Sequence, residues 1–183
     1  MGTAVYLTFD DGPIPEVTPK VLEILDRYQV KATVFMVGEN IAKHPDVYAQ
    51  VLAAGHKVAN HTYNHLKGWN CTTDEYMANV EMCQQLMDQS PSRLFRPPYG
   101  KATLEQRREL NRRAYRIIYW DILTQDYNPS VTPERMLRKI QRETRKGSII
   151  NFHDSLKSNE RMLEVLPKAI EWLQAKGYEL ETL

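Results

Sequence analysis

The stretch Thr8-Phe9-Asp10-Asp11-Gly12-Pro13 ends the first predicted strand of the chain at two adjacent carboxylates. Residues 4–9 are apolar, aromatic or β-branched, which favours a strand. Gly12 permits a tight turn, and Pro13 lacks the N–H that a strand ladder requires. Because consecutive side chains of a strand diverge, one carboxylate can bind a cation while the other handles protons.

Composition indicates a soluble globular protein. The chain has 183 residues, of which 42% are hydrophobic and 26% charged, and its formal net charge is +1. These values suit one domain, and we interpret residues 1–183 as a single catalytic domain. The small net charge argues against a nucleic-acid partner, and no apolar run approaches the roughly 18 residues of a membrane span. Cys71 and Cys83 are too few for a disulfide framework and are expected to be free thiols.

Strand-like and helix-like segments alternate along the whole chain. The predicted strands are residues 4–9, 31–37, 57–60, 93–95, 115–120, 148–152 and 178–182. Helices are predicted from residue 18 and over 45–54, 73–89, 103–113, 132–146 and 159–176. Thr18 and Thr73 are expected to cap their helices, and Pro167 to kink or break the last one. Such alternation is typical of a parallel sheet covered by helices.

Polar residues after the strands distinguish between two architectures. An open doubly wound sheet and a barrel both fit the alternation. The polar residues that follow different predicted strands are Asp10 and Asp11, His61, Arg96, Asp126 and His153. They converge on one mouth if the sheet closes, whereas an open sheet spreads them along an edge. We therefore predict an α/β fold, a distorted (β/α) barrel with about seven parallel strands and helices outside.

A metal site is predicted from two histidines and one carboxylate. His61 and His65 are four residues apart and share a face if they lie on a helical turn. Imidazole suits Zn²⁺, and Asp11 would complete a three-ligand site with a position left for water, whose pKa a metal can lower to about 7. Two polar loop histidines are the alternative for this spacing alone. The predicted cofactor is one divalent ion, Zn²⁺ first, with Co²⁺ or Ni²⁺ as alternatives.

Proton transfer has candidates on both sides of the predicted metal. Asp10 is the candidate general base, with a turn-stabilising aspartate as the alternative. Arg96 is expected to hold Asp10 through a charge-assisted hydrogen bond. His153 is the candidate general acid for a leaving amine, and Asp126 would orient it or raise its pKa. A buried histidine satisfied by the backbone is the alternative for His153.

The prolines after Arg96 indicate a rigid segment. Pro97 and Pro98 stiffen the backbone and would fix the N–H of Tyr99. A fixed N–H donor is what an oxyanion hole requires. Taken alone, a proline pair marks only a loop, so this role depends on the neighbouring motifs.

Five segments together resemble the polysaccharide deacetylases of carbohydrate esterase family 4, which share the catalytic domain of the nodulation chitooligosaccharide deacetylase. They are residues 8–13, 61–65, 96–99, 126–127 and 152–154, in the order of the family's motifs. The resemblance implies Asp10 as base, Asp11, His61 and His65 as metal ligands, Arg96 as the residue that orients Asp10, the Tyr99 N–H as oxyanion donor, Asp126 as the residue that tunes the acid and His153 as that acid. It also implies metal-dependent removal of N-acetyl groups from a glucosamine-containing glycan, a chitooligosaccharide or peptidoglycan, with release of acetate.

Three positions depart from the family pattern. Leu123 stands where the fourth motif usually begins with Asp, Tyr127 replaces the usual Trp, and Asn151 replaces the usual Leu. In the family these Trp and Leu residues line the pocket for the acetyl methyl group, to which we also assign Pro98. A more polar pocket implies slow turnover, and restoring Trp at 127 and Leu at 151 is expected to raise deacetylation.

Two alternative functions stay open. One is hydrolysis of non-sugar C–N (amide) bonds on the same scaffold, and the other is a non-catalytic glycan-binding module. The complete set of acid, base and ligands argues against the second. The location stays open between an extracellular or cell-envelope site, if a leader has been removed, and the cytoplasm. The sequence does not predict an oligomeric state.

Overall fold

The computed structural model describes residues 2–87 and 92–183. The strands are β1 (Ala4–Asp10), β2 (Thr33–Met36), β3 (Lys57–Asn60), β4 (Leu94–Phe95), β5 (Arg116–Ile117), β6 (Ile122–Leu123), β7 (Ile149–His153) and β8 (Glu179–Leu180). The helices are α1 (Thr18–Arg27), α2 (Gly38–Lys43), α3 (Pro45–Ala53), α4 (Thr73–Gln85), α5 (Leu104–Arg112), α6 (Pro133–Glu143) and α7 (Asn159–Ala175). Two short 3₁₀ turns cover Gly68–Asn70 and Pro98–Gly100.

The strands form one parallel sheet with β1 near its centre. Seven strands follow the order β5-β4-β3-β2-β1-β7-β6, and β8 pairs with the first residues of β1. Thr8 of β1 lies opposite Thr33 of β2 on one side and Asn151 of β7 on the other. The sheet curls into a half-barrel, which confirms the predicted α/β fold with a distorted barrel of about seven parallel strands.

The two faces of β1 have different chemistry. Val5, Leu7 and Phe9 are buried in the main hydrophobic core. Thr8 and Asp10 alternate with them and therefore point to the other face, where they are also buried. The central strand thus carries an apolar face for the core and a polar face for the interior of the half-barrel. Among the described residues, no helix is long and apolar enough to cross a membrane.

Helices α1 and α4 begin at Thr18 and Thr73 as predicted, but neither threonine is the N-cap of its helix. The N-cap of α4 is Thr72, whose hydroxyl accepts from the Glu75 N–H while the Glu75 carboxylate accepts from the Thr72 N–H. This capping box selects Thr72 over the predicted Thr73 because the glutamate must stand three residues after the cap. Thr18 does not cap α1 through its side chain; its hydroxyl donates to Asp154 instead.

Other element boundaries also differ from the predictions. Helix α7 runs through Pro167 without the predicted break. The predicted strand over 115–120 shortens to β5, and the chain then forms the unpredicted strand β6. The short helix α2 was not predicted either. Helix α4 ends at Gln85, and positions 88–89 of the predicted helix lie outside the described residues.

Candidate active site

A groove of about 680 Å³ lies where the strands of the half-barrel end. Asp10 and His153 are the last residues of β1 and β7, and His61 follows β3 directly. Since carboxyl ends of parallel strands meet at one edge of a sheet, these side chains come together there. The predicted residues that line the groove are Asp10, Asp11, His61, His65, Tyr99, Leu123, Tyr127, Asn151 and His153.

Asp11, His61 and His65 form a cluster that fits a divalent cation. Asp11 Oδ1 lies 3.5 Å from His61 Nε2 and 3.2 Å from His65 Nε2, and one ligand atom from each residue lies within 4.8 Å of the others. Asp11 Oδ1 is buried and accepts no hydrogen bond from any residue that the structure describes. A buried carboxylate oxygen without a donor, beside two imidazole nitrogens, is the donor set expected of a metal site.

The surroundings prepare these three residues as ligands. His61 Nδ1 lies 2.6 Å from the Arg96 carbonyl oxygen. Because a carbonyl only accepts, this contact places a proton on Nδ1 and leaves Nε2 as the nitrogen that faces Asp11 and can bind a cation. Burial acts to raise the pKa of Asp11, but the His61 and His65 imidazoles hold that pKa well below its usual value. The carboxylate is therefore ionised, as a metal ligand must be.

The backbone adopts rare conformations at the same residues. Asp11 and His65 have positive φ angles of 88° and 60°. Such conformations are unfavourable for residues with a Cβ and persist where the surrounding structure enforces them. At Asp11 the enforcing contacts are hydrogen bonds from its N–H to the Phe35 carbonyl and from Asn40 Nδ2 to its own carbonyl. Hydrogen bonds within the chain therefore hold this turn.

Asp10 is held by a buried arginine. Arg96 Nη1 donates to Asp10 Oδ1 at 2.8 Å, and both side chains are almost fully buried. The guanidinium also donates from Nε to the Ile118 carbonyl and from Nη2 to the Tyr119 carbonyl. These bonds compensate the cost of burying the ion pair and fix its orientation. The other carboxylate oxygen, Oδ2, lies 3.9 Å from His61 Nε2 and so faces the metal cluster.

Asn151 lines the groove and also takes part in the hydrogen-bond network of Asp10 and Arg96. Its Nδ2 donates to Asp10 Oδ2 at 3.2 Å, and its Oδ1 accepts from Arg96 Nη1 at 3.1 Å and from the Thr8 hydroxyl at 3.4 Å. The side chain is buried and spans the ion pair. Asparagine at this position therefore helps to position Asp10, a role that leucine cannot perform. The expectation that leucine at position 151 raises activity does not follow from this geometry.

We expect Asn151→Leu to lower both stability and activity. The substitution leaves buried polar atoms of Asp10 and Arg96 with one partner fewer, which costs about 1–3 kcal/mol of unfolding free energy. Denaturant unfolding measures that loss. Acetate release from N-acetylated oligosaccharides measures the effect on Asp10. Leu123→Ile is the matched control, because it changes an apolar groove residue outside this network. Higher deacetylation by Asn151→Leu would restore the simpler pocket interpretation.

His153, which lines the groove, forms a second charged pair with the buried Asp126. The Asp126 carboxylate is buried and accepts from His153 twice, from Nδ1 at 2.8 Å and from the backbone N–H at 2.6 Å. Burial opposes protonation of His153, but the hydrogen bond to Asp126 and the charges of Asp126, Asp10 and Asp11 outweigh it and raise the pKa of His153 to about 9. With Nδ1 bonded to Asp126, Nε2 is the nitrogen left to donate a proton.

Tyr99 and its neighbours complete the groove. Tyr99 has a φ of 62°, and its N–H makes no hydrogen bond to any residue that the structure describes. The described residues leave this donor unused, and its role in an oxyanion hole stays a prediction. Pro98 lies buried, and its neighbours Pro97 and Tyr99 line the groove instead.

The sequence profile of the polysaccharide deacetylase family matches residues 2–118. This chain belongs to that family. It is 33% identical to a peptidoglycan-N-acetylglucosamine deacetylase of Bacillus cereus over 98% of this chain and 66% of the relative. It is 30% identical to a chitooligosaccharide deacetylase of a Bradyrhizobium strain, over 98% of this chain and 89% of the relative.

The fold comparison agrees with the family assignment. A solved peptidoglycan N-acetylglucosamine deacetylase in complex with 4-naphthalen-1-yl-N-oxidanyl-benzamide superposes with a TM-score of 0.95 and 30% sequence identity. The match covers 100% of this chain and 86% of that one. The fold and most of the length are therefore shared with this relative.

Tyr127 lies beside the candidate acid His153. The Tyr127 ring lies edge-on to His153, with the ring centroids 5.1 Å apart, and its side chain is about two-fifths exposed, at 38%. Leu123 lines the same part of the groove. An aromatic ring still contacts His153 in this position, but the tyrosine hydroxyl can accept a hydrogen bond as well as donate one, whereas the tryptophan N–H only donates.

Asp154 is a site residue that the motif reasoning left without a role. Its carboxylate accepts from the Gly12 N–H at 3.1 Å and from the Thr18 hydroxyl at 2.7 Å. A Cβ at position 12 would lie 2.0 Å from Asp154 Oδ2, so only glycine allows this approach. Burial raises the pKa of Asp154 to about 7, and the charge of Asp11 adds to the effect. Asp154 thus ties the turn after Asp11 to the end of β7.

Proposed function

We propose that this polysaccharide deacetylase removes N-acetyl groups from a glucosamine-containing glycan, a chitooligosaccharide or peptidoglycan, and releases acetate. One observation carries the proposal: Asp10, held by Arg96, lies beside the Asp11, His61 and His65 cluster in the same groove as the His153–Asp126 pair. The names of the relatives support the substrate class, because they include peptidoglycan and chitooligosaccharide deacetylases.

The donor set of one carboxylate and two imidazoles favours Zn²⁺ as the resident ion, held by Asp11, His61 and His65. When bound, a divalent cation there supplies Lewis acidity, which polarises an amide carbonyl and lowers the pKa of water. The chain's own groups supply the remaining chemistry, which consists of two proton transfers and one oxyanion contact.

Each of these groups has a defined place in amide hydrolysis. Asp10 Oδ2 accepts the proton of the attacking water, while Arg96 keeps Oδ1 in place. The Tyr99 N–H donates to the carbonyl oxygen as negative charge develops on it. His153 Nε2 gives its proton to the sugar nitrogen as the C–N bond breaks, so that the glucosamine leaves as a neutral amine. The acyl group, whose carbonyl carbon is now bonded to the water oxygen, leaves as acetate, and Asp10 releases its proton to solvent.

The metal assignment predicts a specific loss of bound ion. The double variant His61→Ala/His65→Ala removes both imidazole ligands and is expected to contain no stoichiometric divalent metal, whereas the wild type binds one Zn²⁺. Elemental analysis after dialysis measures this. His44→Ala is the matched control, because His44 lies between α2 and α3 and outside the cluster. Full metal content in the double variant would contradict the ligand assignment.

Acetate release tests the function as a whole. The substrates are N-acetylchitooligosaccharides and peptidoglycan, with and without added Zn²⁺, and a panel of cyclic amides is assayed in parallel. We expect acetate from the N-acetylated glycans only, with a rate that depends on the metal. Cleavage of the cyclic amides instead would indicate a hydrolase of non-sugar C–N bonds. Glycan binding without acetate release would indicate a binding module.

A further inference from the structure

Two lysines and two exposed aromatic rings lie together at the rim of the groove. Lys67 Nζ is 5.8 Å from the ring centroids of both Trp69 and Tyr99, and Lys101 Nζ is 4.5 Å from that of Trp69. Trp69 and Tyr99 are each 60% exposed, which is unusual for such large rings. We call Lys67, Trp69, Tyr99 and Lys101 the rim cluster.

The rim cluster is built from two segments that are fastened to each other. A Cβ at Gly68 would lie 2.3 Å from Gln106 Oε1 and 3.0 Å from the Lys101 carbonyl oxygen, so only glycine lets the two segments approach this closely. The buried Gln106 donates from Nε2 to the Gly68 carbonyl at 2.7 Å and accepts at Oε1 from the Thr103 N–H at 2.9 Å. The backbone segments that carry the lysines and Trp69 are thus held against each other, which lowers the cost of ordering them on binding.

The positive charge of the rim cluster has no carboxylate counterion among the described residues. Lys67 and Lys101 are both half-buried, yet neither forms an ion pair with a carboxylate that the structure describes. Elsewhere in the described chain, lysines do form ion pairs with carboxylates, as Lys43 does with Glu39. Aromatic faces attract ammonium groups, which explains where the two lysines lie. They do not neutralise the charge, so an anion beside them would gain from both.

The position of the rim cluster indicates which part of a substrate it would meet. The Tyr99 ring belongs to the cluster and lies 4.7 Å, centroid to centroid, from the ring of the metal-ligand candidate His65. Lys101 and Tyr99 line the groove itself. The cluster therefore lies beside the place for the N-acetyl group rather than at it. A group carried by the neighbouring sugar of the same glycan would meet it.

We propose that the rim cluster is a subsite for a carboxylate on the sugar next to the N-acetylglucosamine that is deacetylated. Trp69 and Tyr99 pack against the sugar, and Lys67 and Lys101 donate to the carboxylate. The proposal rests on the proposed function and makes it more specific. A chitooligosaccharide has no such acid. A muramic acid residue carries a free lactyl carboxylate only where no stem peptide is attached to it by an amide bond. The subsite therefore favours peptidoglycan strands without stem peptides.

A pair of substrates that differ only in this charge tests the subsite. One is the tetrasaccharide of alternating N-acetylglucosamine and N-acetylmuramic acid with free lactyl acids, and the other is its methyl ester. We expect the wild type to have a kcat/KM about tenfold higher for the acid, the size of one charge-assisted contact that is partly exposed to solvent. Lys67→Met/Lys101→Met keeps the aliphatic stems without the charges, and its acid-to-ester ratio is expected to fall to about one.

A matched lysine controls for general effects of charge. Lys176 lies 5.9 Å from the ring of Trp172 at the end of α7, outside the groove, and Lys176→Met is expected to keep the wild-type ratio. Equal kcat/KM for acid and ester in the wild type, or an unchanged preference in the double lysine variant, would overturn the proposal. Calorimetric binding of both tetrasaccharides is measured on the same proteins. Absence of acetate from both substrates would refute the proposed function, and the ratio of the two binding constants would then test the subsite alone.

Discussion

Replacing Asp10 with asparagine is expected to lower acetate release by about 10²–10⁴-fold while the divalent metal stays bound. Asparagine cannot accept the proton of the attacking water, because its amide is not basic. It keeps one oxygen, which can still accept from Arg96 Nη1 in the position that Asp10 Oδ1 occupies now, at 2.8 Å. The metal ligands Asp11, His61 and His65 are unchanged, so the metal content should match the wild type.

Three measurements separate this outcome from a structural effect. Turnover at saturating substrate reports the chemical step, elemental analysis reports the metal, and thermal unfolding reports the loss of the buried Arg96–Asp10 ion pair. Asp11→Asn is the informative comparison, since it should lose metal as well as activity. A variant of Asp10 that turns over at the wild-type rate would return this residue to the role of a turn-stabilising aspartate.

The convergence of the site was predictable because it depends on topology. Asp10, His61 and His153 each stand at or directly after the end of a strand, and parallel strands bring such positions to one edge of the sheet. The order of strands along the chain was sufficient to predict this convergence, and no side-chain contact had to be known. The same reasoning placed Arg96 after β4, where it reaches Asp10 across the interior of the half-barrel.

The partners of buried polar groups were not predictable in the same way. Asn151 bonds to Asp10, and Asp154 bonds to Thr18, across 141 and 136 positions of the chain. Neither contact has a local sequence signal, because each depends on how β7 lies against β1 and α1. From the sequence, asparagine in place of leucine at position 151 looked like a change in the polarity of the pocket. In the structure, the Asn151 side chain hydrogen-bonds to Asp10 instead. Thr18, which fits the pattern of a helix cap, serves Asp154 instead.

The wrong choice of N-cap residue for α4 has a different origin. The capping box over Thr72 and Glu75 was present in the sequence, and applying its spacing selects Thr72 over Thr73. The strand predicted over 115–120 was too long because β-propensity alone does not show which residues have a pairing partner. Its aromatic and branched residues favour strand, but only Arg116 and Ile117 find a pairing partner, in β4.

Replacing His153 with alanine is expected to slow deacetylation by about 10²–10⁴-fold and to remove the alkaline limb of its pH profile. The neutral sugar nitrogen is a poor leaving group without a proton, and His153 Nε2 is the donor placed for it. Since the pKa of His153 is raised to about 9, the wild type keeps the protonated form through neutral pH and loses it as the pH rises through that value. A bound cation in the groove would lower this pKa, so the limb should be compared between variants of equal metal content.

Asp126→Asn tests whether the position of that limb comes from the buried carboxylate. Asparagine removes the negative charge and leaves one acceptor for the two donors of His153, Nδ1 and the backbone N–H. The pKa of His153 should then fall toward the ordinary histidine value of about 6.5, and the alkaline limb should move to lower pH. Activity well below the limb should suffer less than in His153→Ala, because a proton donor is still present. An alkaline limb that stays in place in Asp126→Asn would show that Asp126 does not raise the pKa of His153. Full activity of His153→Ala would show that His153 is a buried histidine with no part in catalysis.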